Sequence, residues 1–308
     1  MNQKYMFQFL IFLLVSCSQD RVINVERKLQ HIPPKKILAP IKKIARTAIK
    51  YRPYSGTVRP GEVYKLRIKP PSFDNNGILT CRNKKVPFFI KNNFLIAYVS
   101  ESYFSKKSPF RCHFSSKEFK INVAKFDVED KKFPFEKLKV DKKRVHYSKK
   151  NLKRILREQK ELNMIYKSGE EVPLFLTPFR LPLRSKITSI YGTRRLFNNN
   201  KKSQHLGTDY RARIGRRIRS SNAGKVVLSK DLFFSGKTVI IDHGLGIFTL
   251  YGHLSKAFSK NGEILPKNAL LGLAGMTGRV TGPHLHWGVK VHGNWIDGKS
   301  LIEQSLKK

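Results

Sequence analysis

Two histidines separated by a single residue constrain this chain most: His284 and His286 in Gly282-Pro-His-Leu-His-Trp-Gly-Val289. In an extended strand successive side chains alternate, so both imidazoles face one side while Leu285 faces the other. On a helix the two rings would diverge. The segment therefore predicts a sheet with imidazoles on one face.

Three more residues in the last third of the chain complete a cluster. His205 and Asp209 lie in Gln204-His-Leu-Gly-Thr-Asp209, and His253 in Leu250-Tyr-Gly-His-Leu254. The i, i+4 pair can share a face in a helix or in an extended segment, and Gly207 between them disfavours the helix. A catalytic zinc takes three protein ligands from His, Asp, Glu or Cys and keeps its fourth position open for water or substrate. Five candidates leave two over for proton transfer. Taken singly, each pair or lone histidine is more often structural, and the inference rests on the cluster.

The motifs Gln204-His-Leu-Gly-Thr-Asp209, Val239-Ile-Ile-Asp-His-Gly244, Tyr251-Gly-His-Leu254 and Thr277-Gly-Arg-Val-Thr-Gly-Pro-His-Leu-His-Trp287 resemble the lysostaphin/LytM-type zinc peptidases that cut peptidoglycan. The resemblance spans about residues 173–308. It implies that His205, Asp209 and His286 bind one Zn2+, and that His253 and His284 line the cleft as catalytic groups. No His-Glu-x-x-His helix supplies a glutamate base, and imidazole has a pKa near the working range. Two neutral imidazoles and one carboxylate leave a zinc site at about +1, which lowers the pKa of bound water. Of the two cleft histidines, one assists deprotonation and the other stabilises the oxyanion or protonates the leaving amine; sequence does not divide these roles. His243, in an Asp-His-Gly turn, and His292, in a His-Gly turn, read as structural.

The amino terminus indicates export. Met6–Val15 is an apolar run preceded by Lys4 and too short to span a bilayer, as in a secretory signal. Leu14-Val15-Ser16-Cys17 resembles the cleavage box of bacterial lipoproteins, so residues 1–16 read as a signal and Cys17 as the lipidated first residue, with an ordinary cleaved signal and a secreted product as the alternative. Ser18 leans toward the outer membrane over the periplasmic face of the inner one. Of the three cysteines, subtracting Cys17 leaves Cys81 and Cys112 as a disulfide pair, or as two buried thiols.

The chain of 308 residues is long enough for more than one core. Residues 17–50 are basic and aperiodic, a tether from membrane to domain. Residues 51–128 carry Val63–Ile68, Val86–Ile90, Phe94–Val99 and Phe119–Val123, short apolar runs separated by Pro, Gly, Asn and Ser, which predict a small β-sandwich-like domain. Within a connector over 129–172, Ser148 caps an expected helix of about 149–167, with Leu152, Ile155, Leu156 and Leu162 on its packing face. Residues 173–308 then form the peptidase domain, mostly antiparallel β, with strands near 186–191, 225–229, 237–242, 247–252 and 284–291. The fold class is thus mainly β. The polar stretch between Arg194 and Gln204 corresponds, in the resembling enzymes, to a loop walling the substrate groove.

The net charge of +41 is spread along the chain: residues 173–308 hold 23 Lys and Arg against 6 Asp and Glu. Such a surface attracts polyanions in a salt-dependent way. For an exported chain the expected partners are peptidoglycan and anionic envelope polymers, with the membrane reached through the lipid anchor, and nucleic acid is disfavoured; drift in a Lys- and Asn-rich proteome is the competing account. Tyr210-Arg-Ala-Arg-Ile-Gly-Arg-Arg-Ile-Arg219 departs from the small neutral residues that the resembling enzymes commonly carry there. It favours an acidic substrate or is a solvated edge. The leading reading is a zinc endopeptidase cutting peptidoglycan cross-links or stem peptides. The alternative is a non-catalytic relative that binds wall and activates other hydrolases.

Overall fold

A computed structural model describes residues 51–69, 77–138, 147–198 and 201–307. The signal segment, Cys17 and the 17–50 tether lie outside the described residues. Eight strands come first: β1 (Tyr54–Val58), β2 (Val63–Ile68), β3 (Ile78–Cys81), β4 (Lys84–Lys85), β5 (Phe88–Lys91), β6 (Phe94–Ser100), β7 (Phe110–Ser115) and β8 (Lys120–Val128). They form a five-stranded sheet in the order β1-β8-β7-β3-β4 and a three-stranded sheet β2-β6-β5. Both sheets contribute to one core, in which Leu66, Leu79, Leu95, Phe114 and Phe126 are fully buried. Pro87 cannot donate to a ladder, and β5 starts just after it, two residues later than the run from Val86 suggests.

Cys81 and Cys112 are joined by a disulfide. They sit within β3 and β7, directly opposite each other in the antiparallel register. Their Cα atoms are 4.2 Å apart.

The connecting segment contributes β9 (Phe135–Leu138) and α1 (Lys149–Ile165). Ser148 caps α1 as its sequence predicts, its hydroxyl accepting from the Asn151 N–H. The packing face differs from the expected stripe: Leu152 and Leu156 are exposed, and the deeply buried residue is Glu158. Its carboxylate accepts from Arg154 Nε at 2.6 Å and from the Phe233 N–H at 2.8 Å. The helix thus docks through a polar anchor at Glu158 flanked by Leu162 and Ile165, which pack against the Leu228, Leu232 and Phe248 cluster.

The C-terminal part holds β10 (Ile187–Ser189), β11 (Arg194–Phe197), β12 (Lys201–Gln204), β13 (Thr208–Arg211), β14 (Arg217–Arg219), β15 (Gly224–Leu232), β16 (Gly236–Asp242), β17 (Ile247–Ala257), β18 (Ile264–Leu265), β19 (Leu270–Ala274), β20 (His284–Val291), β21 (Asn294–Ile296) and α2 (Gly298–Leu306). Its main sheet runs β10-β13-β20-β17-β16-β15-β18, antiparallel throughout, with β19 joining β17 to β14 and β21 pairing β20. The chain is mainly β, as its periodicity predicts. The 194–204 stretch is a hairpin rather than an open loop: β11 pairs β12 on one side and, in parallel, β9 on the other.

The core face of this sheet buries Tyr210, Tyr251, Leu285, Trp287 and Val289. Each fully buried large side chain of this kind contributes roughly 1.5–3 kcal/mol. The same cluster includes Val63 and Tyr98 of the first sheets. Polar contacts continue the junction, with the Val63 N–H donating to Ser300 Oγ at 3.0 Å and Ser100 Oγ to the Val291 carbonyl at 2.9 Å.

Candidate metal centre and cleft

Strand register assembles the site. In the β13/β20 ladder Asp209 stands opposite His286 and Arg211 opposite His284, while Tyr210 and Leu285 between them face the core. The His-x-His alternation therefore places both rings on the face that carries Asp209. His205 lies in the turn entering β13, its backbone N–H donating to the Thr193 carbonyl at 2.9 Å.

The donor atoms of His205, Asp209 and His286 lie within 4.8 Å of one another. His205 Nε2 is 3.1 Å from Asp209 Oδ1 and 3.2 Å from His286 Nδ1, and His286 Nδ1 is 2.8 Å from the same carboxylate oxygen. On the far side of the ring, His205 Nδ1 sits 3.0 Å from the Ile190 carbonyl and 3.1 Å from Ser189 Oγ. A carbonyl only accepts, so Nδ1 carries a proton, and Nε2, which faces Asp209, is the nitrogen that ligates a metal once its own proton is lost. Two imidazole nitrogens 3.2 Å apart beside a carboxylate are poorly served by protons alone. The donor set suits a zinc-sized cation with borderline ligands and one open position.

Burial pushes the Asp209 carboxyl up, but the hydrogen bonds from His205 and His286 outweigh it and hold it well below the usual carboxylate range. Burial is also the main cause that lowers the His286 imidazole. Neutral imidazoles and an ionised carboxylate are the forms that ligate metal.

His253 and His284 stand beside this group, with ring centroids 4.8 Å apart. His253 lies 5.9 Å from the His286 ring, and His284 Nε2 is 3.7 Å from Asp209 Oδ1. Each has its Nδ1 at a backbone carbonyl, His253 at Thr277 (2.8 Å) and His284 at Gly282 (2.9 Å). Both therefore keep Nε2 for chemistry. Burial drives the His253 imidazole down to about 3, with the neighbouring His286 adding to the effect.

His253 occupies a backbone position that few side chains tolerate, with φ at 62°. It marks a handover along β17: Gly252 pairs with His286 of β20, whereas Leu254 pairs with Lys237 of β16 and Ala274 of β19. Its N–H turns instead to the Ser235 carbonyl at 2.7 Å. Such local strain concentrates at functional sites.

His243 and His292 lie outside this group and make buried structural contacts, as their turns suggest. His243 is fully buried between the Ala223 carbonyl and Thr249 Oγ1, both at 2.7 Å, and His292 Nε2 meets the Tyr98 carbonyl at 2.7 Å. Sequence reasoning missed Gly207 as a packing requirement. A Cβ there would lie 2.4 Å from His286 Cε1 and 2.9 Å from the Trp287 carbonyl oxygen. It also missed the Thr277 and Ile190 carbonyls, which no residue type announces.

Residues 203–298 match the model of Peptidase family M23, so the lysostaphin/LytM-type resemblance read from the motifs holds for the part of the chain that carries the site. Among curated relatives, the peptidoglycan DD-endopeptidase ShyA of Vibrio cholerae is 36% identical over 132 residues, 42% of this chain and 31% of that protein. The DD-carboxypeptidase/endopeptidase Mpg of Neisseria meningitidis is 34% identical over 129 residues, 42% of this chain and 28% of that protein. The match thus spans under a third of the length of these relatives. A crystal structure titled as a putative peptidase M23 from Pseudomonas aeruginosa aligns over 82% of this chain and 96% of that one, with a TM-score of 0.63 and 27% identity.

Proposed function

We propose that this chain is a zinc metallopeptidase of the cell envelope that hydrolyses peptide bonds in peptidoglycan cross-links or stem peptides. The observation that carries the reading is the convergence of His205 Nε2, Asp209 Oδ1 and His286 Nδ1 within 4.8 Å, with two further imidazoles alongside. The names of the Vibrio and Neisseria relatives support peptidoglycan as the substrate. In this proposal His205, Asp209 and His286 hold one Zn2+. When bound, the ion polarises the scissile carbonyl and lowers the pKa of its water toward neutrality.

The chain's own groups do the rest. The Asp209 carboxylate keeps both ligand rings oriented, and the Ile190 carbonyl fixes the His205 tautomer. His253 and His284, each tied down at Nδ1, offer Nε2 to accept a proton from the attacking water, to donate to the developing oxyanion or to carry a proton to the leaving amine. The left-handed backbone at His253 holds its ring beside His284.

The proposal keeps the sequence division: a signal over 1–16 with lipidated Cys17, a tether to 50, the β-sandwich-like part over 51–128, the connector over 129–172 and the peptidase over 173–308. All five site positions are intact, which speaks against the non-catalytic alternative. Among the described residues no helix is long and apolar enough to cross a membrane.

The test incubates the form lacking its first 17 residues with purified peptidoglycan, with and without a chelator, and reads products by mass spectrometry. Chelator-sensitive release of new amino termini is expected. New reducing sugar ends, or binding without release, would overturn the assignment.

A further inference from the structure

The arginine run after Asp209 is not absorbed by the peptidase reading, and the fold gives it a partner. Arg213, Arg216, Arg217 and Arg219 share a cavity of about 480 Å³ with Arg180 and Arg184 from the proline-rich segment that precedes β10. No carboxylate lines it, and none of these six arginines forms an ion pair among the described residues. Arg180 and Arg219 do have neutral partners, the side-chain oxygen and the backbone carbonyl of Asn268. Like charges gathered without a counter-charge repel one another, and bound anions relieve that repulsion.

The walls are fixed by backbone bonds rather than by the arginines. The Arg180 N–H donates to the Ser221 carbonyl at 3.1 Å and the Arg219 N–H to Pro182 at 3.4 Å, which ties the two segments side by side. The Arg213–Arg216 turn closes with an N–H to carbonyl bond of 3.1 Å, passes through Gly215 at φ 86° and is pinned by the Gly215 N–H on Ala274 at 2.9 Å. Ile218 between Arg217 and Arg219 is fully buried. The backbone that carries the six arginines is therefore set around a concavity before any ligand arrives, with the Arg180 and Arg219 side chains further held on Asn268.

We propose that this cleft is a binding site for a phosphate-bearing anionic polymer. Guanidinium is a planar fork that matches phosphate oxygens two at a time. Six of them around one cavity call for several negative charges on one molecule, which a polymer with a phosphate in each repeat supplies and a peptide with one or two carboxylates does not. The concave shape suits a chain laid into it better than a flat bilayer surface. The cleft is also close to the candidate metal centre without being part of it. Arg213 lies two residues beyond the end of β13 and four after Asp209, at most about 13 Å of extended chain. A polymer held there tethers the molecule with its site free. This inference does not depend on the peptidase reading, because binding is read without turnover.

The test uses the full chain and inorganic polyphosphate of defined length, with affinity measured by calorimetry at several salt concentrations. Saturable, salt-sensitive binding is expected. The triple variant Arg213→Ala, Arg216→Ala, Arg217→Ala should weaken it by about tenfold or more and flatten its salt dependence. The Arg→Lys triple, which keeps charge and loses the fork, should recover only part of the loss. A control removing equal charge from α1, Lys149→Ala, Lys150→Ala, Lys153→Ala, should leave binding within about twofold of the parent. Circular dichroism checks that all variants fold. Equal weakening by both alanine triples would show that net charge alone binds. Polyglutamate binding as tightly as polyphosphate would assign the cleft to acidic peptides. Phosphatidylglycerol vesicles outcompeting polyphosphate would assign it to a membrane surface. Each of these results overturns the proposal.

Discussion

Gly207→Ala adds a single methyl group, yet it should disable the metal centre. The new Cβ would lie 2.4 Å from Cε1 and 2.7 Å from Nε2 of His286, and 2.9 Å from the carbonyl oxygen of Trp287. Carbon atoms settle at about 3.5 Å or more, so something must retreat by about 1 Å. The Trp287 carbonyl belongs to a paired strand, which leaves either the His286 ring or the 206–208 backbone to move. The first displaces a donor atom directly. The second drags His205 and Asp209, which flank the glycine. Metal sites tolerate ligand displacements of about 0.2 Å, so both routes spoil the donor set. Zinc affinity should fall by about 10- to 100-fold or more. Overpacking of this kind costs about 1–3 kcal/mol of folding stability. Competition against a chromogenic chelator measures the first quantity, and thermal melts of the metal-free protein the second. Parental zinc affinity in a folded Gly207→Ala variant would refute both the close approach and the ligand set.

Asp209→Ala and His286→Ala should each abolish zinc retention and hydrolysis of purified wall, whereas His284→Ala should keep the metal, seen by elemental analysis, and lose most turnover; full activity in any of the three contradicts the roles proposed. Acid should destabilise the fold through His243 and His292, both lowered from 6.5 to about 4 chiefly by burial. With the folded pKa below the unfolded one, the unfolded chain binds more protons between pH 6.5 and 4, so stability is retained above 6.5 and declines by about 3 kcal/mol per residue as pH falls through that window. Denaturant titration from pH 7.5 to 4.5 checks this, and His243→Gln should flatten the slope. Reducing Cys81–Cys112 reopens a 31-residue separation and should cost about 3–4 kcal/mol, read as a lower denaturation midpoint under reductant.

What the sequence made legible follows from period and register. His284, Leu285 and His286 report their own faces because alternation in a strand is geometric, and β20 spans His284–Val291 as the pattern predicts. The cap at Ser148 was equally readable, since its hydroxyl acts on an N–H three residues away. The α1 packing face was not. An apolar stripe at Leu152 and Leu156 is no stronger a signal than the charge at Glu158, and only the distant Phe233 N–H decides which side turns inward. The hairpin over 194–204 was hidden for a related reason: polar strands carry little pattern, and this one is stabilised by β9 pairing from more than fifty residues upstream.

The same dependence on distant backbone explains why the five site residues were visible while their preparation was not. Side-chain type names a ligand, but its tautomer is set by carbonyls that every residue possesses: Ile190 for His205, Thr277 for His253 and Gly282 for His284. Those carbonyls are placed in turn by loops that the fold brings together. Ser235 holds the His253 N–H, and two residues earlier the Phe233 N–H is held by Glu158. The connector helix is thus linked by two hydrogen bonds and a short loop to a residue of the cleft. Glu158→Gln, which removes the buried charge, leaves the Phe233 N–H with a weaker acceptor and Arg154 with Asp231 as its remaining acidic partner. Loosening α1 should therefore be felt at His253 before it is felt at His205, whose supports at Ile190 and Thr193 come from the β10–β11 side of the sheet.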